Sequence, residues 1–225
     1  MAAVISPEEG NLAKDEPTWD EPVATIADPL EPLNRAFFVF NDKLYFWALK
    51  PAAKVYSWYI PTGMRAAFRN AFNNSLFPGR FVNALLQGKW KKSGKEAARF
   101  FINTTVGFGG MFDIAKTHLN ITTSEEDFGQ TLGFYGMGPV IYLNLPFIGP
   151  TSVRDAIGTA ADGVMDPVYW VGLDWLPYFG YCAGHVFNDS SLRIGQYEEL
   201  KSMAIDPYAA LRDAYAQMRA KQIRE

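Results

Sequence analysis

From Phe128 to Val153 the chain runs 26 residues without a charge, yet that stretch contains five glycines and three prolines. A membrane-spanning helix needs about 20 mostly apolar residues in one unbroken run. Glycine and proline interrupt such a run. The stretch therefore cannot cross a bilayer as a single helix. It must lie deep inside protein or meet lipid over part of its length, folded as short elements joined at Gly and Pro.

The segment from Asp28 to Pro61 adds a second constraint. Nine of the 23 residues from Phe37 to Tyr59 are aromatic, among them Phe37, Phe38, Tyr45, Phe46, Trp47, Tyr56, Trp58 and Tyr59. Tyr and Trp join an apolar body to one polar atom, which suits a boundary between oil and water. Asp28 before Pro29, with Glu31 three residues on, predicts a helix start with Asp28 as its cap. Leu30, Leu33, Phe37, Phe40, Leu44 and Trp47 follow helical spacing. Phe38, Tyr45, Phe46 and Leu49 lie off that stripe, so the apolar face is wider than one packing surface needs. Lys50-Pro51 is expected to break the helix, with a shorter one reaching Pro61.

The remaining pattern is mostly helical. Helices are expected at about 63–73, 78–87 and 94–106, the last stopped by Gly107, Gly109 and Gly110, which also make a joint. Residues 116–127 read as a polar loop ending in Glu125-Glu126-Asp127, followed by a short helix from Phe128 to about Tyr135. Val140–Leu145 alternates as an extended segment would. Thr151 or Ser152 starts a helix to about Ala161, Asp166-Pro167 marks another start, and Asp206-Pro207 opens a last helix over 207–222. The fold class is all-α with little or no β-strand.

The net charge of −3 hides an uneven distribution. Residues 1–27 hold six acids and one base and read as a disordered acidic leader, with residues 28–225 as one helical domain. Between 62 and 99, Arg65, Arg69, Arg80, Lys89, Lys91, Lys92, Lys95 and Arg99 face Glu96 alone. Such a patch favours anionic partners or is a solvated basic surface. The single cysteine, Cys182, permits no internal disulfide. No basic n-region followed by an apolar core opens the chain, so a targeting segment is not visible.

Catalytic patterns are absent. Two histidines, His118 and His185, occur without HExxH or paired-Cys spacing, so neither a metal nor another cofactor is implied. There is no GxSxG elbow. Asp155 and Asp162 stand seven apart on one expected helix and can share a face, but such a pair is more often a helix surface or an ion-pair partner, here for Arg154. Two classes stand beside a membrane-interface role: a lipid-modifying enzyme, and a peripheral adaptor binding anionic partners through the basic patch. An aromatic stripe alone is more often core, but an amphipathic helix with rings at its margins beside Lys and Arg is how a protein lies in a membrane interface.

Several blocks then carry a family resemblance. They are Asp28-Pro-Leu-Glu31 with Asn34-Arg35, Pro51 through Tyr59-Ile-Pro61, and Phe81-Val-Asn83 with Leu86-Gln-Gly88. Arg99-Phe-Phe-Ile-Asn-Thr-Thr105 follows, with Gly107-x-Gly-Gly110 and Asp113. The later blocks are Phe128-Gly-x-Thr-Leu-Gly133 with Tyr135-Gly136 and Gly138, Leu145-Pro-Phe147 with Gly149, Arg154-Asp155, and Asp206-Pro-Tyr208. In this order, over about 28–219, the chain resembles the MlaA (VacJ) family of outer-membrane lipoproteins. The resemblance implies a single domain of amphipathic helices forming a flat ring around an amphipathic channel in the inner leaflet of the outer membrane. It implies that misplaced phospholipid passes to a periplasmic carrier beside a porin trimer, with no bond made or broken and no nucleic acid involved.

Residue roles follow from the resemblance in the same way. The aromatic set above would touch acyl chains outside the ring. The loop at about 116–128 would act as a hinge, with Phe128 at its end, Val106 facing it, and Gly107, Gly109, Gly110, Gly129 and Gly133 around it. Cationic residues before the last Asp-Pro block matter in the family, and Lys201 is the nearest candidate. The lipobox Cys is not in this sequence, so the anchor is expected in a native precursor. The acidic run Glu125–Asp127 departs from the more basic or mixed loop expected.

Overall fold

The computed structural model describes residues 24–172 and 174–225. Most of the expected leader, residues 1–23, lies outside the described residues. Its last residues do not: Ile26 is buried, and the Ala27 carbonyl accepts the Tyr142 N–H at 2.9 Å.

Helix α1 spans Glu31–Leu44. Asp28 does not cap it, because its carboxylate is engaged elsewhere. It accepts from Asn34 Nδ2 at 2.7 Å and from the Tyr208 hydroxyl, which ties the chain's first described helix to its last. Nor does Lys50-Pro51 break the path. A π-helical segment, Tyr45–Leu49, runs directly into α2, Lys50–Tyr59. Proline offers no N–H and its ring would strike the carbonyl four residues back. The wider π turn, in which the Lys50 N–H reaches the Tyr45 carbonyl, makes room for that ring.

Helices α3 (Thr62–Ser75), α4 (Phe77–Leu86) and α5 (Trp90–Thr105) follow as expected, with α5 starting four residues earlier. The expected loop at 116–127 is partly helix: α6, Ile114–Leu119, is capped by the Asp113 carboxylate on the Lys116 N–H and closed by Asn120 in the left-handed region. Helix α7 is Phe128–Phe134, capped by Asp127. Strands β1 (Tyr142–Leu145) and β2 (Gly149–Ser152) form an antiparallel hairpin with Tyr142 opposite Ser152. Asn34 serves as a third edge, with Oδ1 taking the Asn144 N–H at 2.9 Å and Nδ2 donating to the Tyr142 carbonyl at 3.1 Å.

Ser152 caps α8, Val153–Met165, and Asp166 caps the short α9, Pro167–Trp170. Then come α10 (Trp175–Leu192), α11 (Gln196–Met203) and α12 (Pro207–Arg224), the last capped by Asp206. Two Asp-Pro starts thus work as caps and the third does not. Helices α7 and α8 cross at backbone contact: a Cβ on Gly158 would lie 2.4 Å from the Gly129 nitrogen.

Burial is inverted relative to a water-soluble domain. Among the described residues only seven apolar side chains are buried, four of them alanines, against nineteen polar or charged ones. The small apolar cluster is Ile26, Tyr142, Tyr208 and Ala216, with Phe38 and Tyr215 against it. Large apolar side chains instead face outward on nearly every helix. No helix of the described residues is long and apolar enough to cross a membrane.

Candidate functional site

The structure divides the eight aromatics singled out in the 37–59 segment. Trp47, Trp58 and Tyr59 are more than three-quarters exposed. Phe37 is half-buried. The other four turn inward. Phe38 meets Tyr208 edge-on at 5.9 Å, and the Tyr45 hydroxyl donates to Glu198 at 2.8 Å. Phe46 lies beneath the ammonium groups of Lys50 and Lys201, and the Tyr56 hydroxyl donates to Asn188 at 3.0 Å. A second outward set comes from α9, the residue that ends it, and α10: Tyr169, Trp170, Val171, Trp175, Leu176 and Phe179. Sequence reading missed it, although 168–182 holds six aromatics and one charge, Asp174.

Charged side chains line two adjoining cavities instead. A cavity of about 320 Å³ opens between α3, α4, α5 and the segment from Asp113 to Glu125, with Arg193 from the end of α10 also in its wall. Five cations, Arg69, Arg80, Arg99, Lys116 and Arg193, face three carboxylates, Glu96, Asp113 and Glu125. One wall is apolar: Phe77 and Phe100 stack with centroids 4.4 Å apart and planes 14° from parallel. Glu96, only 1% exposed, accepts from Arg80 Nε, the Thr123 hydroxyl and the Ser124 N–H. Burial pushes the Asp113 carboxyl up, but Arg99 and Asn103 outweigh it and hold the pKa below its ordinary value.

An adjoining cavity of about 270 Å³ shares Asn73, Arg80 and Glu125 with the first and carries Glu126, Asp127, Asp162 and Asp166. Here burial raises the Asp162 pKa, even though its oxygens accept the Phe128 N–H at 3.0 and 3.2 Å and Asn83 at 2.8 Å. The acidic run has structural work to do. Glu126 is buried and accepts from Lys89 and Lys92. Asp127 caps α7 and pairs with Arg219 at 2.7 Å, which holds its pKa down against the burial that raises it. Arg219 also grips Asp155, beside Arg154 and the Tyr215 hydroxyl. Asp155 and Asp162 are thus anchors for α7 and α12, not a free acid–base pair.

Most of the 62–99 basic patch is likewise occupied. Arg65 is buried and donates to the carbonyls of Ile60 and Ser191. Arg80, Lys89, Lys92 and Arg99 pair with Glu96, Glu126 and Asp113. His185 stacks on Phe72 with burial lowering its pKa, and His118 bonds the neighbouring Thr117 hydroxyl. Among the described residues no cluster of His, Cys, Asp or Glu is placed to hold a metal.

The expected hinge residues fall into three local groups. Val106 is exposed at the end of α5. After it, Gly107 and Gly110 admit no side chain: a Cβ would lie 2.2 Å from the Phe112 carbonyl and 2.5 Å from Asn74. Gly109, with φ +67°, has open space around it. Phe128 is half-buried with its N–H fixed by Asp162, and on the same helix Gly129 packs on Asp155 and Gly133 on Ile223. Lys201 stands apart, on α11, and pairs with Asp42 of α1 at 2.6 Å while covering Phe46 at 5.0 Å.

Comparison with known proteins gives this arrangement its relatives. The MlaA lipoprotein family model matches residues 26–222. The chain is 34% identical over 195 residues to an intermembrane phospholipid transport system lipoprotein of Haemophilus influenzae, covering 84% of this chain and 76% of that protein. It is 33% identical over 194 residues to the Escherichia coli protein of the same name, covering 85% and 76%. A solved chain, from work on the structural basis for maintenance of bacterial outer membrane lipid asymmetry, superposes with a TM-score of 0.76. It shares 30% identity and covers 88% of this chain and 99% of its own length. With a family model spanning nearly all the described residues and relatives above 30% identity across most of the chain, this protein belongs to the MlaA lipoprotein family.

Proposed function

We propose that this protein carries phospholipid out of the outer leaflet of a Gram-negative outer membrane and hands it to a periplasmic carrier, keeping the two leaflets chemically distinct. The observation that carries this reading is the inverted burial: apolar side chains outside, charged side chains around internal cavities. Such a body is matched to an apolar solvent outside and a polar passage within. A head group following that passage avoids the cost of burying its charge in hydrocarbon.

In this reading the exposed tryptophans hold the protein at the periplasmic face of the membrane. The segment between α5 and α7 gates the passage, and a porin trimer is the neighbouring partner. No bond is made or broken. The names and subject of the relatives support the lipid assignment. The test is complementation in a Gram-negative host lacking its own family member, with the chain given a lipoprotein signal. Outer-leaflet phospholipid, labelled with a membrane-impermeant reagent, is expected to return to its normal low level. Persistent outer-leaflet phospholipid at normal protein abundance would refute the proposal, as would release of fatty acid or lysolipid by the purified protein.

A further inference from the structure

The basic cavity holds more cation than its own carboxylates satisfy. Glu96 takes three donors, and Asp113 takes Arg99, Asn103 and the Lys116 backbone N–H. Arg80 and Arg99 are neutralised by those two acids. Arg193 pairs with Asp189 at 2.9 Å. Arg69 and Lys116 form no ion pair among the described residues and both line the cavity, where Glu125, exposed and likewise without an ion pair, is the one carboxylate left to balance them. Arg69 is half-buried. Lys116 is exposed, so both cations can be reached from solvent, and the excess of positive charge around the cavity attracts an anion.

We propose that Arg69 and Lys116 recognise the phosphate of a glycerophospholipid head group. Guanidinium N–H groups match two phosphate oxygens at once, and the ammonium adds a point charge. The Phe77–Phe100 stack supplies an apolar wall for the glycerol carbons. At about 320 Å³ the cavity sits at the small end of ligand pockets, roughly 300–1,000 Å³, so it fits a head group and leaves the acyl tails outside. This assignment rests on the phospholipid reading above and names the atoms that would read the lipid.

The test uses the full chain in a non-ionic, phosphate-free detergent with three probes: dihexanoylphosphatidylglycerol, dihexanoylglycerol and inorganic phosphate. The double variant Arg69→Gln/Lys116→Gln is compared with Lys91→Gln/Lys95→Gln, which removes equal charge from exposed α5 positions outside the cavity. The cavity variant is expected to bind the phospholipid about tenfold or more weakly, as losing charge-assisted hydrogen bonds implies, with dihexanoylglycerol unaffected. The control variant should match wild type. For the wild-type chain alone, rising salt should weaken phospholipid binding and spare dihexanoylglycerol, a readout that does not depend on either variant folding. Undiminished phospholipid binding by the cavity variant, or an equal loss in the control, overturns the assignment. Inorganic phosphate competing at concentrations equal to the lipid would make this a free-anion site and overturn the head-group assignment. If wild type binds neither lipid probe, the phospholipid reading itself falls. If it binds both alike, only the head-group assignment falls.

Discussion

Replacing Arg219 with methionine removes the cation that joins α12 to α7 and α8. Arg219 is 8% exposed, and its Nε donates to Asp155 at 3.0 Å. Its terminal nitrogens reach Asp127 at 2.7 and 2.9 Å and Asp155 at 2.9 Å. The local count is two arginines, 154 and 219, against two aspartates, 127 and 155, so Arg219→Met leaves one partly buried negative charge, that of Asp127, uncompensated. Breaking a buried pair from one side costs about 3–5 kcal/mol. The lower end applies, because Asp127 is 36% exposed and Asp155 keeps Arg154. About 3 kcal/mol corresponds to a fall in Tm of roughly 6–12 °C for a chain of this size.

Thermal unfolding in detergent, followed by circular dichroism, reads that shift. Two further measurements test its cause. Adding Asp127→Asn restores the charge balance and keeps a capping side chain on α7, so the double variant should recover about 1–2 kcal/mol of the loss. The aspartate pKa values are held below their ordinary value in the folded protein, so their contribution is complete above about pH 4 and is lost as pH falls through the lowered values. The gap between wild type and Arg219→Met should therefore be full at pH 7 and narrow in acid. A gap independent of pH, or a double variant no better than the single, would refute the charge-balance reasoning.

Two other expectations concern packing and the outer surface. Gly158→Ala forces a Cβ onto the Gly129 backbone and should cost about 1–3 kcal/mol, while Gly94→Ala, with open space in mid-α5, should gain about 0.5–1 kcal/mol in the same melts; the opposite order would mean the α7–α8 crossing is not close. Trp47→Ser/Trp58→Ser should weaken partition to phospholipid vesicles roughly tenfold per residue and reduce the blue shift of tryptophan emission on vesicle addition, and unchanged partition would remove these side chains from the interface.

Helix positions were legible wherever a local signal decided them. Asp166 and Asp206 stand before prolines and cap, as their sequence says. Asp28 has the same local signal, but Tyr208 and Asn34 claim its carboxylate, and a partner 180 residues away is invisible in a local pattern. Pro51 misled in a similar way, because the π turn that accommodates it depends on the preceding five residues. Helix α6 was within reach: Asp113 followed by Ile-Ala-Lys-Thr is a capped start, hidden by its length of six residues. The basic patch was visible as charge but not as structure. Its partners Asp113 and Glu126 lie beyond the patch in sequence, so the pairing, and with it the unpaired Arg69 in the cavity wall, needed the fold.

The inverted burial has a thermodynamic consequence. Exposing apolar surface raises the heat capacity of a chain and exposing polar surface lowers it. Here unfolding releases nineteen buried polar or charged side chains and only seven apolar ones among the described residues, while in the membrane reading proposed above the outer apolar faces would meet lipid or detergent in either state. The heat-capacity increment on unfolding should therefore fall below the usual 12–15 cal/mol/K per residue, roughly. Calorimetry in micelles should show a broad, flat stability curve in which cold denaturation recedes. Such a protein owes little of its stability to water's dislike of hydrocarbon, and its stability should change little across the temperatures at which its host grows.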